Sequence, residues 1–264
     1  MDTGTPKMLA RKGGGIGWLI FNQPEKHNAM SFAMWQAIPR IMADFEADPE
    51  VRVIVLTGAG ERAFVSGADI SEFEEKRDRA ETIKIYDQAS EAANKSLIGA
   101  SKPTMAMIRG YCIGGGLAIA LTTDIRIAAE GATFAVPAAK LGLGYGYAGI
   151  RRLTDIVGPS FAKEIFYTAR QFSTEEAKLM GLINRVLPAG ELESYVERYA
   201  GLIAGNAPMT IKAAKMAINA AVTDEGVRDM GAVKSAVEAC FGSEDYKEGR
   251  RAFMDKRKPQ FKGR

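Results

Sequence analysis

Two glycine-containing segments of the chain could hold a negative charge through backbone amides. The three glycines at 114–116 follow an apolar run at 104–109 and lead into the helix-forming sequence LAIAL at 117–121. Amides without side-chain cover then lie at the start of a helix, which is a place that attracts anions. A run of glycines also lets two backbones pack closely at a crowded turn, so this segment alone does not decide between the two explanations.

The second segment is AFVSGADI at 63–70, which follows an apolar run at 51–57 and the turn GAG at 58–60. Taken alone, it is compatible with an ordinary loop. The two segments together are more informative, because two turns that each offer a free amide can converge on one carbonyl oxygen. Such a pair of donors stabilises the enolate or tetrahedral anion that forms from a carbonyl group, as in an oxyanion hole.

Short β-type runs recur along the chain and predict an α/β fold. They lie at Ile16–Phe21, 51–57, 104–109 and Ile125–Ala129, separated by glycine turns or by longer helical stretches. Ser31 suits the N-cap of a helix whose apolar residues recur at helical spacing as far as position 45. Pro39 predicts a kink or an early end in that helix.

Two further helices are predicted before the C-terminal region. Apolar residues at helical spacing from 83 to 97 indicate a helix that ends before Pro103, because proline disfavours helix in the residue before it. The capping-box pattern at 173–176 and Gly181, which suits the position after a helix, predict a short helix at 174–180.

The domain boundary is predicted at the sequence NAP at 206–208. Pro208 fits a first helical turn, and the sequence from there to Gly249 contains no strand signal. We therefore predict a core domain at 1–205 and a helical C-terminal region at 206–264. Asp124, between a helix and a strand, is expected to anchor its turn rather than to react.

Composition places the chain among globular proteins, with 264 residues of which 47% are hydrophobic and 25% charged. Cys112 and Cys240 are the only cysteines and His27 is the only histidine, so we expect no disulfide framework and no metal site. This cysteine usage suits a reducing cytosol, and we expect a cytoplasmic protein. Residues 1–12 lack the apolar core of a secretory signal, and the longest apolar run, at 111–121, is too short to span a bilayer.

The net charge of +3 is a property of the C-terminal end. The last 18 residues contain eight Lys or Arg against two Asp or Glu, so the rest of the chain is slightly acidic. Because the basic character is local, we expect neither a nucleic-acid nor a membrane partner.

Four segments, in the right order, resemble the crotonase (enoyl-CoA hydratase/isomerase) superfamily. They are NQPEKHNA at 22–29, GAGERAFVSGADI at 58–70, RGYCIGGG at 109–116 with LTTDIRIA at 121–128, and FMDKRKPQF at 253–261. The resemblance covers nearly the whole chain. It implies a crotonase-like spiral of repeated ββα units, followed by a helical C-terminal region that packs on neighbouring subunits and closes over coenzyme A. It also implies a homotrimer or a dimer of trimers, and a role in fatty acid metabolism.

The resemblance further implies an acyl-CoA substrate and no separate cofactor, because coenzyme A is part of that substrate. The amides of Ala68 and Gly115 would form the oxyanion hole. His27 would lie beside the coenzyme A rather than act in catalysis, and Lys256 is alternatively a solvated helix end. The residues implied in substrate or coenzyme A binding are Lys26, His27, Ala29, Ser66, Gly67, Asp69, Ile70, Phe253 and Lys256, the last two either within the subunit or from a neighbouring one.

The chain departs from the family at the two glutamates that hold and activate water in hydratases. The corresponding positions are Ala118, two residues after the glycine run, and Ala138, which follows Pro137. Without these carboxylates an enolate can still be stabilised, but the protons must come from elsewhere, so ordinary water addition is in doubt. The leading expectation is therefore a lyase-type enzyme of the enoyl-CoA hydratase/isomerase family with its exact reaction open.

Tyr145, in the segment LGLGYGYAG at 141–149, falls where methylmalonyl-CoA decarboxylases of this superfamily place a tyrosine, although the decarboxylase pattern has a histidine where this chain has Ala68. A malonyl-type acyl-CoA decarboxylase that uses Tyr145 is thus one alternative, and a tyrosine that only lines the acyl pocket is another. A catalytically inactive CoA-thioester binding protein is the third possibility. Glu72 and Glu74 are further carboxylates near the expected pocket, and Arg151 is expected at the surface unless it contacts a substrate carboxylate.

Overall fold

Strands and helices alternate through the first two thirds of the chain, and helices alone follow. The computed structural model describes residues 1–69, 72 and 80–264. The strands are β1 (Met8–Gly13), β2 (Ile16–Phe21), β3 (Val53–Gly58), β4 (Ala63–Val65), β5 (Thr104–Ile108), β6 (Tyr111–Ile113), β7 (Ile125–Ala129), β8 (Thr133–Ala135) and β9 (Arg185–Leu187). The α-helices are α1 (Phe32–Ala47), α2 (Ala80–Ile98), α3 (Gly115–Ala120), α4 (Tyr147–Thr168), α5 (Thr174–Leu179), α6 (Leu192–Ala204), α7 (Pro208–Ala221), α8 (Met230–Gly242) and α9 (Glu244–Met254).

The larger sheet has the strand order β1-β2-β3-β5-β7-β9. Only β1 and β2 pair antiparallel, and the other neighbours are parallel. All residues of β3 and β5 are buried, as expected for parallel strands that are covered on both faces. The four strands predicted from apolar runs correspond to β2, β3, β5 and β7, and the predicted α/β class is confirmed.

The two faces of the larger sheet are covered by different layers. Because side chains alternate along a strand, Val53 and Val55 share one face while Ile54 and Leu56 share the other. The first pair packs in a cluster with the apolar residues of α6. The second pair packs in the larger core cluster, which also contains the buried residues of α1 and of the second sheet.

The second sheet consists of β4, β6 and β8, all parallel, with three residues in each strand. The sequence did not predict these strands, because three residues are too few to show an alternating pattern. The ring of Phe64 in β4 contacts the ring of Phe21 in β2 edge to face, with centroids 5.4 Å apart. This small sheet therefore packs on the larger one within a common core.

Predicted helix boundaries are largely confirmed. The Ser31 hydroxyl accepts a hydrogen bond from the Met34 N–H at the start of α1, and α5 has the predicted capping box. The early end predicted at Pro39 is wrong, because α1 continues to Ala47. Packing of its buried face outweighs the one backbone hydrogen bond that a proline removes.

The last three helices contribute few buried residues to the core. Pro208 is the first residue of α7, as predicted, and α8 contains no buried residue. The predicted anchoring role of Asp124 is confirmed, because its Oδ2 accepts from the Thr104 N–H at 2.7 Å and from Lys215 Nζ of α7 at 2.8 Å. Among the residues that the structure describes, no helix combines the length and apolarity needed to cross a membrane.

Candidate active site

The three strands of the small sheet run parallel, so their C-terminal ends lie at one edge. The segment after β4 contains Ala68, the segment after β6 contains Gly115, and β8 is followed by Ala138. Loops at the carboxyl ends of parallel strands are the usual place for ligand sites in α/β folds. The fold thus brings together three positions that are far apart in the sequence.

Two close backbone contacts join the loops after β4 and β6. A Cβ atom on Gly116 would come within 2.0 Å of the Val65 carbonyl oxygen, so only glycine fits there. The Cβ position of Gly67 lies 3.6 Å from the Ile113 carbonyl oxygen. Gly67 has a φ of +118°, which side chains rarely permit. The two glycine segments that the sequence singled out are therefore in direct contact.

Pairing with Met30 fixes the direction of the Ala68 amide. Met30 N–H donates to the Gly67 carbonyl at 2.8 Å, and its carbonyl accepts from the Asp69 N–H at 2.9 Å. In a planar trans peptide the C=O and the N–H point in opposite directions. Because the Gly67 carbonyl points at Met30, the Ala68 N–H in the same peptide points away from it.

The Gly115 amide is the first of the short helix α3. The neighbouring Gly114 N–H donates to the Ala135 carbonyl of β8 at 2.8 Å, and the first backbone bond of the helix runs from Ala118 N–H to the Gly114 carbonyl at 3.0 Å. Among the described residues, neither Gly115 N–H nor Ala68 N–H has a hydrogen-bond acceptor. Both residues are half-buried.

This chain has alanines at the two positions where hydratases carry glutamates. Ala118 lies one turn into α3 and is half-buried, while Ala138 is buried in the 3-10 helix Pro137–Leu141 directly after β8. The Cβ position of Gly114 lies 3.8 Å from Pro137 Cδ, so this 3-10 helix adjoins the glycine run. Neither alanine can exchange a proton with a bound molecule.

Tyr145 lies between that 3-10 helix and α4. Its ring contacts the Phe166 ring edge to face, with centroids 5.1 Å apart, and packs against the core cluster. Burial raises the pKa of the Tyr145 phenol above its ordinary value. Within the described part of the chain its hydroxyl has no hydrogen-bond partner. The phenol is thus a neutral O–H group that could donate to a ligand.

The loop at 22–30 is held in an unusual backbone conformation by Asn28. His27 and Asn28 both have positive φ, at 52° and 55°. The buried Asn28 side chain accepts from the Gln23 N–H at 2.9 Å and donates to the carbonyls of Ala59 and Ala63 at 3.0 and 2.8 Å. These three bonds offset the cost of the strained backbone.

The same loop is connected to the loop that carries Ala68. Lys26 Nζ lies 2.9 Å from Asp69 Oδ2, which also accepts from Gln23 Nε2 at 3.2 Å, and Ser66 N–H donates to the His27 carbonyl at 3.2 Å. Asp69 is buried, whereas Lys26 is exposed. The structure therefore brings the predicted coenzyme A residues at 26–29 and 66–69 together, whereas Ile70 lies outside the described residues.

Phe253 and Lys256, at the end of α9, lie at the surface. Phe253 is 83% exposed, and Lys256 has a φ of +51°. No hydrogen bond or ion pair within the described residues connects either of them to the 22–30 loop. Their predicted role over coenzyme A stays a prediction.

Two other charged candidates have structural partners. Glu72 Oε2 accepts from the Phe32 N–H at 2.8 Å, at the first residue of α1, and Glu74 lies outside the described residues. The Arg151 guanidinium binds the Asp224 carboxylate through two hydrogen bonds and thereby joins α4 to the segment after α7.

Among residues 1–69, 72 and 80–264, no group of three or more His, Cys, Asp or Glu could hold a metal ion.

The sequence patterns did not identify Met30 and Trp35 as neighbours of the two amides. Met30 pairs with Ala68, and Trp35 of α1 lies nearest to the Cβ position of Gly115, at 3.9 Å. Only the periodic apolar pattern of α1 marked Trp35, as a core residue. No local signal identifies partners that are supplied by long-range pairing.

Comparison with known proteins gives a consistent result. The family model for enoyl-CoA hydratase/isomerase matches residues 11–264. The short-chain-enoyl-CoA hydratase of Clostridium acetobutylicum is 34% identical over 97% of this chain and 98% of its own, and the crotonyl-CoA hydratase of Syntrophomonas wolfei is 33% identical over 96% and 97%. A crystal structure from Hyphomonas neptunium, of a protein assigned to the enoyl-CoA hydratase/isomerase family, aligns over 100% of both chains with a TM-score of 0.92 and 37% identity.

The chain therefore belongs to the enoyl-CoA hydratase/isomerase family and has the crotonase fold. The family and fold expected from the four sequence segments are confirmed. As a member of this family it is an acyl-CoA enzyme.

Proposed function

We propose that the protein stabilises the enolate of an acyl-CoA thioester between the amide N–H groups of Ala68 and Gly115. One observation carries the proposal: two half-buried amides, which have no acceptor among the residues that the structure describes, lie on segments whose backbones are in close contact. Such donors act on charge as it develops on the thioester oxygen and need no reorganisation during the reaction. The remaining question is which bond changes at the acyl group.

The coenzyme A part of the substrate is assigned to the loops at 26–29 and 66–69, with Phe253 and Lys256 closing over it. Lys26 is exposed beside the Ala68 loop, and an ammonium group neutralises phosphate charge as a point charge. The basic C-terminal end suits a ligand with several phosphates. We assign the closing residues to the subunit itself or to its neighbour in a homotrimer or dimer of trimers, and we place the enzyme in the cytoplasm.

The leading assignment is a reaction of the enoyl-CoA hydratase/isomerase type. Relatives that span nearly the whole chain are named as hydratases of short-chain enoyl-CoA and crotonyl-CoA. Their names favour 2-enoyl thioesters as substrates. Ala118 and Ala138 argue against the two-glutamate mechanism, so a hydratase reaction in this protein would take its acid and base from other groups.

Decarboxylation of a malonyl-type thioester is the second candidate, and the buried neutral phenol of Tyr145 favours it. In this reaction the bond between the α-carbon and the carboxylate breaks, CO₂ leaves, and the electron pair forms the enolate. The Tyr145 O–H then gives its proton to the α-carbon, and solvent returns a proton to the phenolate. No water has to be activated, which fits the two alanines. A protein that binds CoA thioesters without turnover is the third candidate.

A mass-spectrometric time course distinguishes the three candidates. The purified protein is incubated with crotonyl-, methylmalonyl-, ethylmalonyl- and longer 2-enoyl-CoA thioesters. A product heavier by one water identifies a hydratase, and a product lighter by one CO₂ identifies a decarboxylase. Binding measured by calorimetry, with no mass change and no shift of the double bond in the NMR spectrum of the thioester, would identify the inactive binder.

The oxyanion amides are tested by Gly115→Pro, which removes the N–H at the first position of α3. Proline is well tolerated at that position of a helix. Loss of one oxyanion donor is expected to lower turnover about 100-fold or more. Met230→Pro, at the first position of the exposed helix α8, is the matched control and should leave turnover unchanged. Normal activity of folded Gly115→Pro would overturn the proposal.

A further inference from the structure

The side-chain direction of Gly115 is occupied by a single aromatic ring. Trp35 Cζ2 lies 3.9 Å from the Cβ position of Gly115, and apart from the chain neighbours and the backbone of α3 no other atom of the described residues lies within 4 Å of it. Trp35 is buried in α1, whose buried face packs into the larger core cluster. The indole therefore lies beside Gly115, which carries one of the two proposed oxyanion amides.

The Trp35 indole is hydrogen-bonded to a residue that lies near the other amide, that of Ala68. The Trp35 indole N–H donates to the Tyr86 hydroxyl at 2.8 Å. The Tyr86 hydroxyl oxygen lies 3.5 Å from the Met30 carbonyl oxygen, at the outer limit for a hydrogen bond. That carbonyl also accepts from the Asp69 N–H, and Met30 pairs with Ala68. Trp35 and Tyr86 thus link the surroundings of Gly115 to those of Ala68.

We propose that Trp35 and Tyr86 are positioning residues that set the separation of the Ala68 and Gly115 amides. The inference rests on the proposed oxyanion hole. The β4–β6 pairing and the close Val65–Gly116 approach join the two segments at the strand ends, whereas Ala68 lies three residues beyond Val65. The two rings form a second brace, and both side chains are buried with less than a tenth of their surface exposed. Two braces fix the orientation as well as the distance of the amides.

The physical reason for a rigid brace lies in the geometry of oxyanion stabilisation. Both donors must lie at hydrogen-bond distance from one oxygen, and a displacement of about 1 Å can reduce turnover about 100-fold. Aromatic rings have few rotatable bonds, and here the Tyr86 oxygen accepts the hydrogen bond of the Trp35 indole N–H, which restrains both rings. Aliphatic residues of similar volume would fill the space without fixing the distance.

The test measures the thioester carbonyl directly. Butyryl-CoA labelled with ¹³C at the thioester carbon is bound to the protein, and its carbonyl stretch is recorded by infrared difference spectroscopy. Donation from two amides lowers the stretching frequency in the wild type. Trp35→Phe and Tyr86→Phe should each show a clearly smaller shift. On the substrate identified above, kcat should fall about tenfold with KM unchanged.

Trp18→Phe is the matched control. Trp18 is equally buried, but it lies in β2 and packs in the core cluster on the opposite face of the larger sheet. A variant that merely loses a buried indole should therefore keep the wild-type carbonyl shift. The double variant Trp35→Phe with Tyr86→Phe removes both partners, so no buried donor is left unsatisfied. It should regain thermal stability relative to Tyr86→Phe while its carbonyl shift stays small.

The outcomes separate this inference from the proposed function. A wild-type carbonyl that does not shift on binding would overturn the oxyanion hole, and the inference with it. A normal wild-type shift that is unchanged in Trp35→Phe and Tyr86→Phe would overturn the brace alone. A reduced shift in these variants but not in Trp18→Phe supports both.

Discussion

The α-carbon of Gly116 packs so closely on the Val65 carbonyl that a Cβ atom would lie 2.0 Å from the oxygen. Both partners are backbone atoms, so neither can rotate away. The close-packing explanation of the glycine run and the anion-binding explanation are therefore compatible. Gly116 provides the close contact between the two segments, and Gly115, beside it, provides an amide with no acceptor in the described part of the chain.

Gly116→Ala is expected to destabilise the fold and to abolish activity. The added methyl group forces the start of α3 away from β4, at a cost of about 3 kcal/mol or more for backbone displacement in a packed core. Urea unfolding measures the loss. Gly201→Ala, within α6 where a Cβ meets nothing within 4 Å, is the control and should be neutral or slightly stabilising. Wild-type stability of Gly116→Ala would contradict the contact.

Much of the larger sheet was predictable from the sequence, because its central strands are short segments made mostly of apolar residues. The strands of the small sheet were not, since Ala63–Val65 and its two neighbours are too short to show a period. That sheet places the candidate site. Sequence therefore identified the two loops but not the element that joins them.

The candidate site was predictable where glycine chemistry or a family pattern marks a residue, as at Ala68 and Gly115. It was not predictable where a partner arrives from a distant segment, as Met30, Trp35 and Tyr86 do. Pro39 shows a different limit. A local rule predicted a kink or an early end of α1 at this residue, but the helix continues because burial of its face outweighs one lost hydrogen bond.

Tyr145→Phe tests the proton donor of the decarboxylase candidate. Removal of the hydroxyl keeps the ring contact with Phe166 but removes the acid, so kcat with malonyl-type thioesters should fall about 100-fold while KM is unchanged. Tyr147→Phe, with a ring that is 75% exposed, is the control and should behave as the wild type. An unchanged kcat in Tyr145→Phe would mean that Tyr145 lines the acyl pocket and does not donate the proton.

The buried phenol of Tyr145 also predicts a pH dependence of stability. Its pKa in the folded protein is raised above the ordinary value of 10.0, so the unfolded chain loses this proton first. The contribution to stability is complete below pH 10 and is lost as the pH rises from there through the raised pKa. Urea unfolding near pH 8 and above pH 10 should show that Tyr145→Phe loses less stability than the wild type. Equal losses in the two proteins would mean that the phenol is not buried.

Lys215→Met is expected to loosen the attachment of the C-terminal helices. Lys215 Nζ donates to the Asp124 carboxylate at 2.8 Å and to the Lys102 carbonyl at 2.9 Å, and it is the ionic contact that holds α7 on the core. Loss of hydrogen bonds to a charged group costs about 2 kcal/mol. Lys212→Met, an exposed lysine of the same helix, is the control in urea unfolding. The prediction fails if both variants unfold at the same urea concentration.

Asp245 holds the end of the chain against the start of α9. Its carboxylate oxygens accept from the N–H groups of Lys262 and Gly263 at 2.6 and 2.8 Å, and its side chain is buried. Asp245→Ala leaves both N–H groups without this acceptor and should cost about 2 kcal/mol. Hydrogen exchange followed by mass spectrometry should then show faster exchange in the C-terminal peptide. Asp255→Ala removes an exposed carboxylate near the same end and should not change that rate, whereas unchanged exchange in Asp245→Ala would show that other contacts hold the tail.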